Sequence, residues 1–110
     1  MIDILSEIEE QLKTVTAGSK DQIDLLINYS WELGYAEVKK SIEISEEALA
    51  LAEKIGYKKG IALAKGNIGI FSLGNPGSDI KKSKTYIFEA LDEARKSNDP
   101  EREGWALMGL

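Results

Sequence analysis

Apolar residues recur every three or four positions along nearly the whole chain, and the breaks in that rhythm fall at glycines. The pattern predicts a first helix over 2–16, where Ile4 (or Leu5), Ile8, Leu12 and Val15 share a face and Gly18 stops the run. Ser19 then opens S-K-D-Q. Its hydroxyl can accept the free N–H of Gln22 while the Gln22 side chain answers back, which starts a second helix at about 20–34. Ile23, Leu26, Ile27 and Ser30 lie on or near one stripe of it. Gly34 interrupts, and a third helix follows at 36–55 with Val38, Ile42, Ser45, Leu49, Ala52 and Ile55 in phase. After Gly56 a fourth runs over 58–73 on Ile61, Ala64, Ile68 and Phe71. The turn GNPGSD at 74–79 combines glycine's dihedral freedom with a proline that forbids continuation. A fifth helix spans 79–97 through Ile80, Lys84, Ile87, Leu91 and Ala94. Asp99-Pro100 suits the N-cap and first position of a sixth, running to Leu110. The β-branched residues are mostly isoleucines at helical spacing rather than in alternation, so no strand is expected.

The helices repeat one another. Glu47-Ala48-Leu49 and Ala52 match Glu89-Ala90-Leu91 and Ala94 at an offset of 42 residues. Gly60-Ile61-Ala62-Leu63 matches Gly104-Trp105-Ala106-Leu107 at 44, and Leu33-Gly34 matches Leu73-Gly74 at 40. The unit is a helix pair. A pair this short cannot bury its apolar face alone, and stacking the next pair on it completes a core. Close stacking calls for small residues, and Ala48, Gly69 and Ala90 are candidates for those contacts. The plainer reading is a single helical bundle with coincidental Ala-Leu matches.

Residues 20–110 resemble tetratricopeptide repeats. The resemblance rests on Asn67-Ile68-Gly69 in one first helix, on Ser83, Ile87 and Ala90 in the helix that follows, and on Ser41, Ser45 and Ala48 in the unit before. Ser30 takes the small position of that unit's first helix, and Trp31-Glu32-Leu33 follows it. The stretch ALALAEKIGYKKGIAL at 48–63 is similar to units that precede catalytic domains in bacterial signalling proteins such as nucleotide cyclases, diguanylate cyclases and sensor kinases. The resemblance implies a short α-solenoid of antiparallel helix hairpins and a non-catalytic role in signal input or protein–protein interaction. It implies peptide binding along the first helices of each unit, with Asn28, Trp31, Gly66, Asn67 and Ile70 facing one groove. Lys65 is the only base near a clamp position, so a complete carboxylate clamp is not expected. The unit boundaries it implies are a capping helix at 1–17, pairs at 18–56 and 57–98, and the first helix of an incomplete unit at 99–110.

Composition narrows the chemistry. The 110 residues suit one domain, and 19 acidic against 14 basic side chains give a net charge of −5, which argues against a nucleic-acid partner. With no cysteine and no histidine, disulfides, thiolate sites and Ser-His or Cys-His nucleophiles are excluded. The acidic start MIDILSEIEEQ is unlike a signal peptide, and no run approaches the roughly 18 apolar residues of a membrane span. Cytoplasmic location is the expectation, with no membrane partner and no cofactor. Glu9-Glu10, Glu46-Glu47 and Asp92-Glu93 are the acid pairs to weigh for general acid–base work, and adjacent acids on a helix ordinarily sit on its solvated side. No phosphate loop is present, since Lys65-Gly66 and the GNPG turn lack the required spacing and strand.

The sequence thus reads as an all-α protein that binds a protein or peptide. Its last helix lacks a following partner, and Trp105, Leu107 and Leu110 are the residues expected to pack back on the fifth helix or to meet a second copy as a homodimer. The rival readings are a purely structural homodimerisation module and a small helical enzyme subunit using acidic residues.

Overall fold

The computed structural model describes residues 3–75 and 77–108. Six helices follow in order: α1 (Ile4–Thr14), α2 (Lys20–Leu33), α3 (Val38–Ile55), α4 (Lys58–Leu73), α5 (Ile80–Lys96) and α6 (Pro100–Met108), with a 3-10 turn over Gly34–Glu37 between α2 and α3. Among the described residues there is no strand, so the all-α expectation holds. Predicted ends at residues 2 and 110 lie outside the described residues.

Local chemistry sets these boundaries. The Gln22 N–H donates to the Ser19 hydroxyl at 3.1 Å, and the Gln22 side chain reaches back to accept from Gly18 N–H at 2.6 Å, one residue earlier than expected. Asp79 and Asp99 accept in the same way from Lys82 N–H and Arg102 N–H, each at 3.1 Å. Gly56 ends α3 at φ +70°, and the Tyr57 N–H closes the turn on the Ala52 carbonyl at 2.9 Å.

Helix α4 is the centre, packed against α2, α3 and α5. Half of its 16 residues are buried, and they are mostly small: Gly60, Ala62, Ala64, Gly66 and Gly69 accompany Asn67, Ile68 and Phe71. The small residues mark where backbones approach. A Cβ on Gly69 would stand 2.6 Å from the Ser83 carbonyl oxygen, and one on Gly66 would stand 3.0 Å from the Ala90 Cβ. Gly69 and Ala90 thus sit at the α4–α5 crossing, and Ala48 is fully buried between α2 and α4 with Ile23, Leu26, Ile27, Ala52 and Ala64. Ile8 anchors α1 on Tyr29 and Leu33, and Ala106 anchors α6 on Ile87 and Leu91.

The α2–α3–α4 seam is polar as well as close. Ser30, Ser41, Ser45 and Asn67 are all buried. Ser41 Oγ donates to the Ser30 carbonyl at 2.7 Å, Ser45 Oγ donates to the Ser41 carbonyl at 2.9 Å, and the hydroxyls of Ser30 and Ser45 share a hydrogen bond. Among the described residues no buried side-chain nitrogen or oxygen lacks a partner.

The solenoid expected from the sequence is not what these helices build. In stacked hairpins each unit touches only its neighbours, and length grows along one axis. Here α6 packs on α5 and its Trp105 reaches Trp31 of α2, joining what the repeat reading made the first and third units. The molecule measures 36 × 29 × 25 Å, and its radius of gyration of 13.4 Å is that of a globular domain, for which roughly 13 Å is expected at this length. The fold is a compact helix bundle. The resemblance to tetratricopeptide repeats is corrected accordingly. Its Ala, Gly and Ser matches are what close helix crossings demand in any bundle, and they do not require a repeating stack.

Candidate functional site

The return of α6 leaves a cleft of about 550 Å³ where the ends of α2 and α4 meet α6. This size lies within the usual range of ligand pockets, roughly 300–1,000 Å³. Its walls are aromatic. The rings of Trp31 and Trp105 stack 4.6 Å apart and 12° from parallel. Phe71 lies 5.5 Å from Trp31, and Tyr35 meets Phe71 edge-on at 5.1 Å. Each pair falls within the separations at which aromatic rings attract beyond simple burial.

The local sequence explains how the rings come together. Trp31 sits in the last turn of α2 and Phe71 in the last turn of α4. Gly34 at φ +45° turns the chain sharply, and the 3-10 segment then carries Tyr35 over the cleft. A Cβ on Gly34 would sit 3.7 Å from Phe71, an ordinary contact, so it is the positive φ and not crowding that calls for glycine. Tyr35 remains 68% exposed and Met108 on α6 76% exposed, which leaves apolar surface at the mouth. Glu32, Ile70 and Leu73 complete the lining used below.

Arg102 braces this arrangement from the side. Its guanidinium lies 4.5 Å from the Trp105 ring. Burial pulls its pKa below the usual arginine range, while Asp99, Glu101 and Asp24 act in the opposite direction. Arg95 adds an ion pair to Glu103 at 3.1 Å across α5 and α6.

Four of the five residues expected to face one groove, Trp31, Gly66, Asn67 and Ile70, border one another around a small void beside the cleft. Trp31 and Ile70 also line the aromatic cleft. Gly66 and Asn67 are buried beside it, and the void, of about 20 Å³, is too small for a ligand. The Asn67 amide is engaged, donating to the Ile27 carbonyl at 3.1 Å and the Ser30 hydroxyl at 3.2 Å. Asn28 is exposed and borders two grooves, one with Asp21, Asp24 and Gln11 between α1 and α2, the other with Leu63 and Arg102, which also border the void. Lys65 is occupied by Glu89 of α5 at 2.7 Å. Trp105 packs on α2, Leu107 is 49% exposed, and Leu110 lies outside the described residues.

Sequence reasoning missed Tyr35, Phe71 and Arg102 as members of the site. Phe71 was read as core, which it also is, and Tyr35 fell in a break between helices. The acid pairs do not converge. Glu9 accepts from the Tyr29 hydroxyl at 2.7 Å, Glu10 pairs with Lys13 at 2.8 Å and Asp92 with Lys96 at 2.9 Å, each at a different place on the surface. Among the described residues no three His, Cys, Asp or Glu side chains are grouped to hold a metal ion, and no helix is long and apolar enough to cross a membrane. Comparison with known protein-family models, with curated proteins and with solved structures finds no match to this chain.

Proposed function

We propose that this chain is a non-catalytic interaction module that takes side chains of a protein partner into the aromatic cleft between α2, α4 and α6. The observation that carries this reading is the cleft itself: a concavity of about 550 Å³ walled by Trp31, Phe71 and Trp105, with exposed Tyr35 and Met108 at its mouth. Aromatic residues supply large contact areas at little cost in side-chain entropy, and they concentrate where proteins bind one another. The paired acids are scattered and each of Glu9, Glu10 and Asp92 has a neighbour of its own, which favours binding over acid–base chemistry.

Selection of a random peptide library on the immobilised protein tests this. Peptides bearing apolar residues should be enriched, and their binding should fall about tenfold or more on Tyr35→Ala, the loss expected when an exposed aromatic anchor is truncated. Absence of enrichment, or enriched peptides indifferent to both Tyr35→Ala and Met108→Ala, would sink the proposal.

A further inference from the structure

Helix ends in this bundle are charged unequally. The carbonyl end of a helix carries a partial negative charge, and a base in the last turn normally offsets it. Helices α1, α3 and α5 follow that rule, with Lys13, Lys54 and the pair Arg95 and Lys96. Helix α6 lacks a base in its last turn, and so do α2 and α4. The ends of α2 and α4 open into the aromatic cleft, through Leu33 and Gly34 of one and Leu73 and Gly74 of the other. An acid adds to them, since Glu32 lies in the last turn of α2 and lines the cleft. No lysine or arginine is among the described residues that line it, and the chain as a whole carries a net charge of −5.

Two helix ends with no base of their own, a carboxylate and aromatic walls all favour the same visitor. Trp31 and Trp105 spend a face each on their mutual stack, but the ring of Tyr35, 68% exposed, is electron-rich and attracts cations, and the Glu32 carboxylate at the rim pairs with them. We infer that the cleft selects a basic side chain, arginine or lysine, presented by the partner protein between apolar residues. The inference deepens the function proposed above and rests on it. The apolar flanks would meet Tyr35 and Met108, while the cationic head would supply a counter-charge at the ends of α2 and α4. Arg102 is not among the residues that line the cleft: it lies over the Trp105 ring beside Asp24 and Asn28 of α2.

Three blocked tripeptides separate charge preference from simple apolar binding: Leu-Arg-Leu, Leu-Gln-Leu and Leu-Glu-Leu. Each is titrated into the isotopically labelled 110-residue chain, and the backbone amide signals of Gly34, Ile70 and Gly74 are followed. Leu-Arg-Leu should saturate these shifts at about tenfold lower concentration than Leu-Gln-Leu, and Leu-Glu-Leu should bind more weakly than either. Glu32→Gln, an exposed substitution, should shrink the Arg-over-Gln preference by about threefold or more. Equal saturation by all three peptides would overturn the charge inference and leave the binding module standing. A preference for Leu-Glu-Leu would overturn it as well. Shifts from none of the three would overturn both. If free ethylguanidinium matched Leu-Arg-Leu in affinity, the cleft would be a small-cation site and the protein-borne side chain would be wrong.

Discussion

Asn67 on α4 donates its side-chain amide to the main-chain carbonyl of Ile27 on α2, 3.1 Å away, inside the buried seam it shares with Ser30, Ser41 and Ser45. The same amide reaches the Ser30 hydroxyl at 3.2 Å. Asn67→Ala deletes the donor and is expected to destabilise the fold by about 1–3 kcal/mol. Asn67→Asp should be worse, because it sets a carboxylate against a carbonyl oxygen in a buried position. Urea unfolding measures both. A variant as stable as the parent would show that the hydrogen bond contributes nothing.

The stack of Trp105 on Trp31 is a second relationship with a measurable energy. Trp31→Ala and Trp105→Ala should each destabilise the protein. In a double-mutant cycle the two should couple by roughly 0.5–1.5 kcal/mol, the usual worth of an aromatic pair beyond its burial. Strict additivity would mean that the rings do not interact in solution.

Glycines at two helix positions should respond in opposite directions. Gly69→Ala drives a methyl to 2.6 Å from the Ser83 carbonyl and 2.7 Å from Ile87, so α4 and α5 must separate, at a cost of about 1–3 kcal/mol. Gly104 in α6 has nothing within 4 Å of the added carbon. There, Gly104→Ala should stabilise by about 0.5–1 kcal/mol through helix propensity alone. Thermal unfolding of the two variants, run side by side, checks the contrast.

Tyr57 links stability to alkaline pH. Burial first, and then its hydrogen bond to Asp24 at 2.9 Å, push its pKa from 10.0 to about 12. The native state therefore favours the protonated phenol more than the unfolded state does. That contribution is fully present below pH 10 and is lost as pH rises through about 12. The pKa values of Lys13, Lys40, Lys65 and Lys96 are also raised, chiefly by hydrogen-bonded neighbours, so their contributions fall in the same direction. Tyr57→Phe should make the alkaline loss of stability shallower than in the parent. Identical pH profiles for the two would remove this role.

How far the sequence could be read depended on whether a feature was local. The glycine stops, the aspartate and serine caps and the apolar period all act within a turn or two, and α2 and α4 begin and end within a residue of where that chemistry places them. The phase of α3 was legible only in part. Periodicity chose Val38, Ile42, Ser45, Leu49, Ala52 and Ile55; Ser45 and Ala52 do lie on the buried line, with Ser41 and Ala48, whereas Val38, Ile42 and Leu49 flank it half-buried and Ile55 is 45% exposed. At a close crossing small polar residues go inside and bulky ones flank them, so hydrophobicity alone finds only part of the stripe. The cleft was legible only in part. Trp31 and Ile70 were placed on a binding surface, but nothing within a turn of Trp31 announces Trp105, because that contact depends on how α4 and α5 turn the chain back. The repeat reading failed at the same point. It took matching small residues as stacked units, and sequence similarity between helices carries no record of where the last one docks.

The placement of the aromatic stack has a practical side. The chain has only two tryptophans, Trp31 and Trp105, and both lie in that single contact. Indole fluorescence therefore reports the docking of α6 on α2 and is almost blind to α1 and most of α3, whereas circular dichroism weighs every helix. A fluorescence transition that precedes the loss of helicity would mark α6 as the first part to open, and coincident transitions would mark the bundle as one cooperative unit.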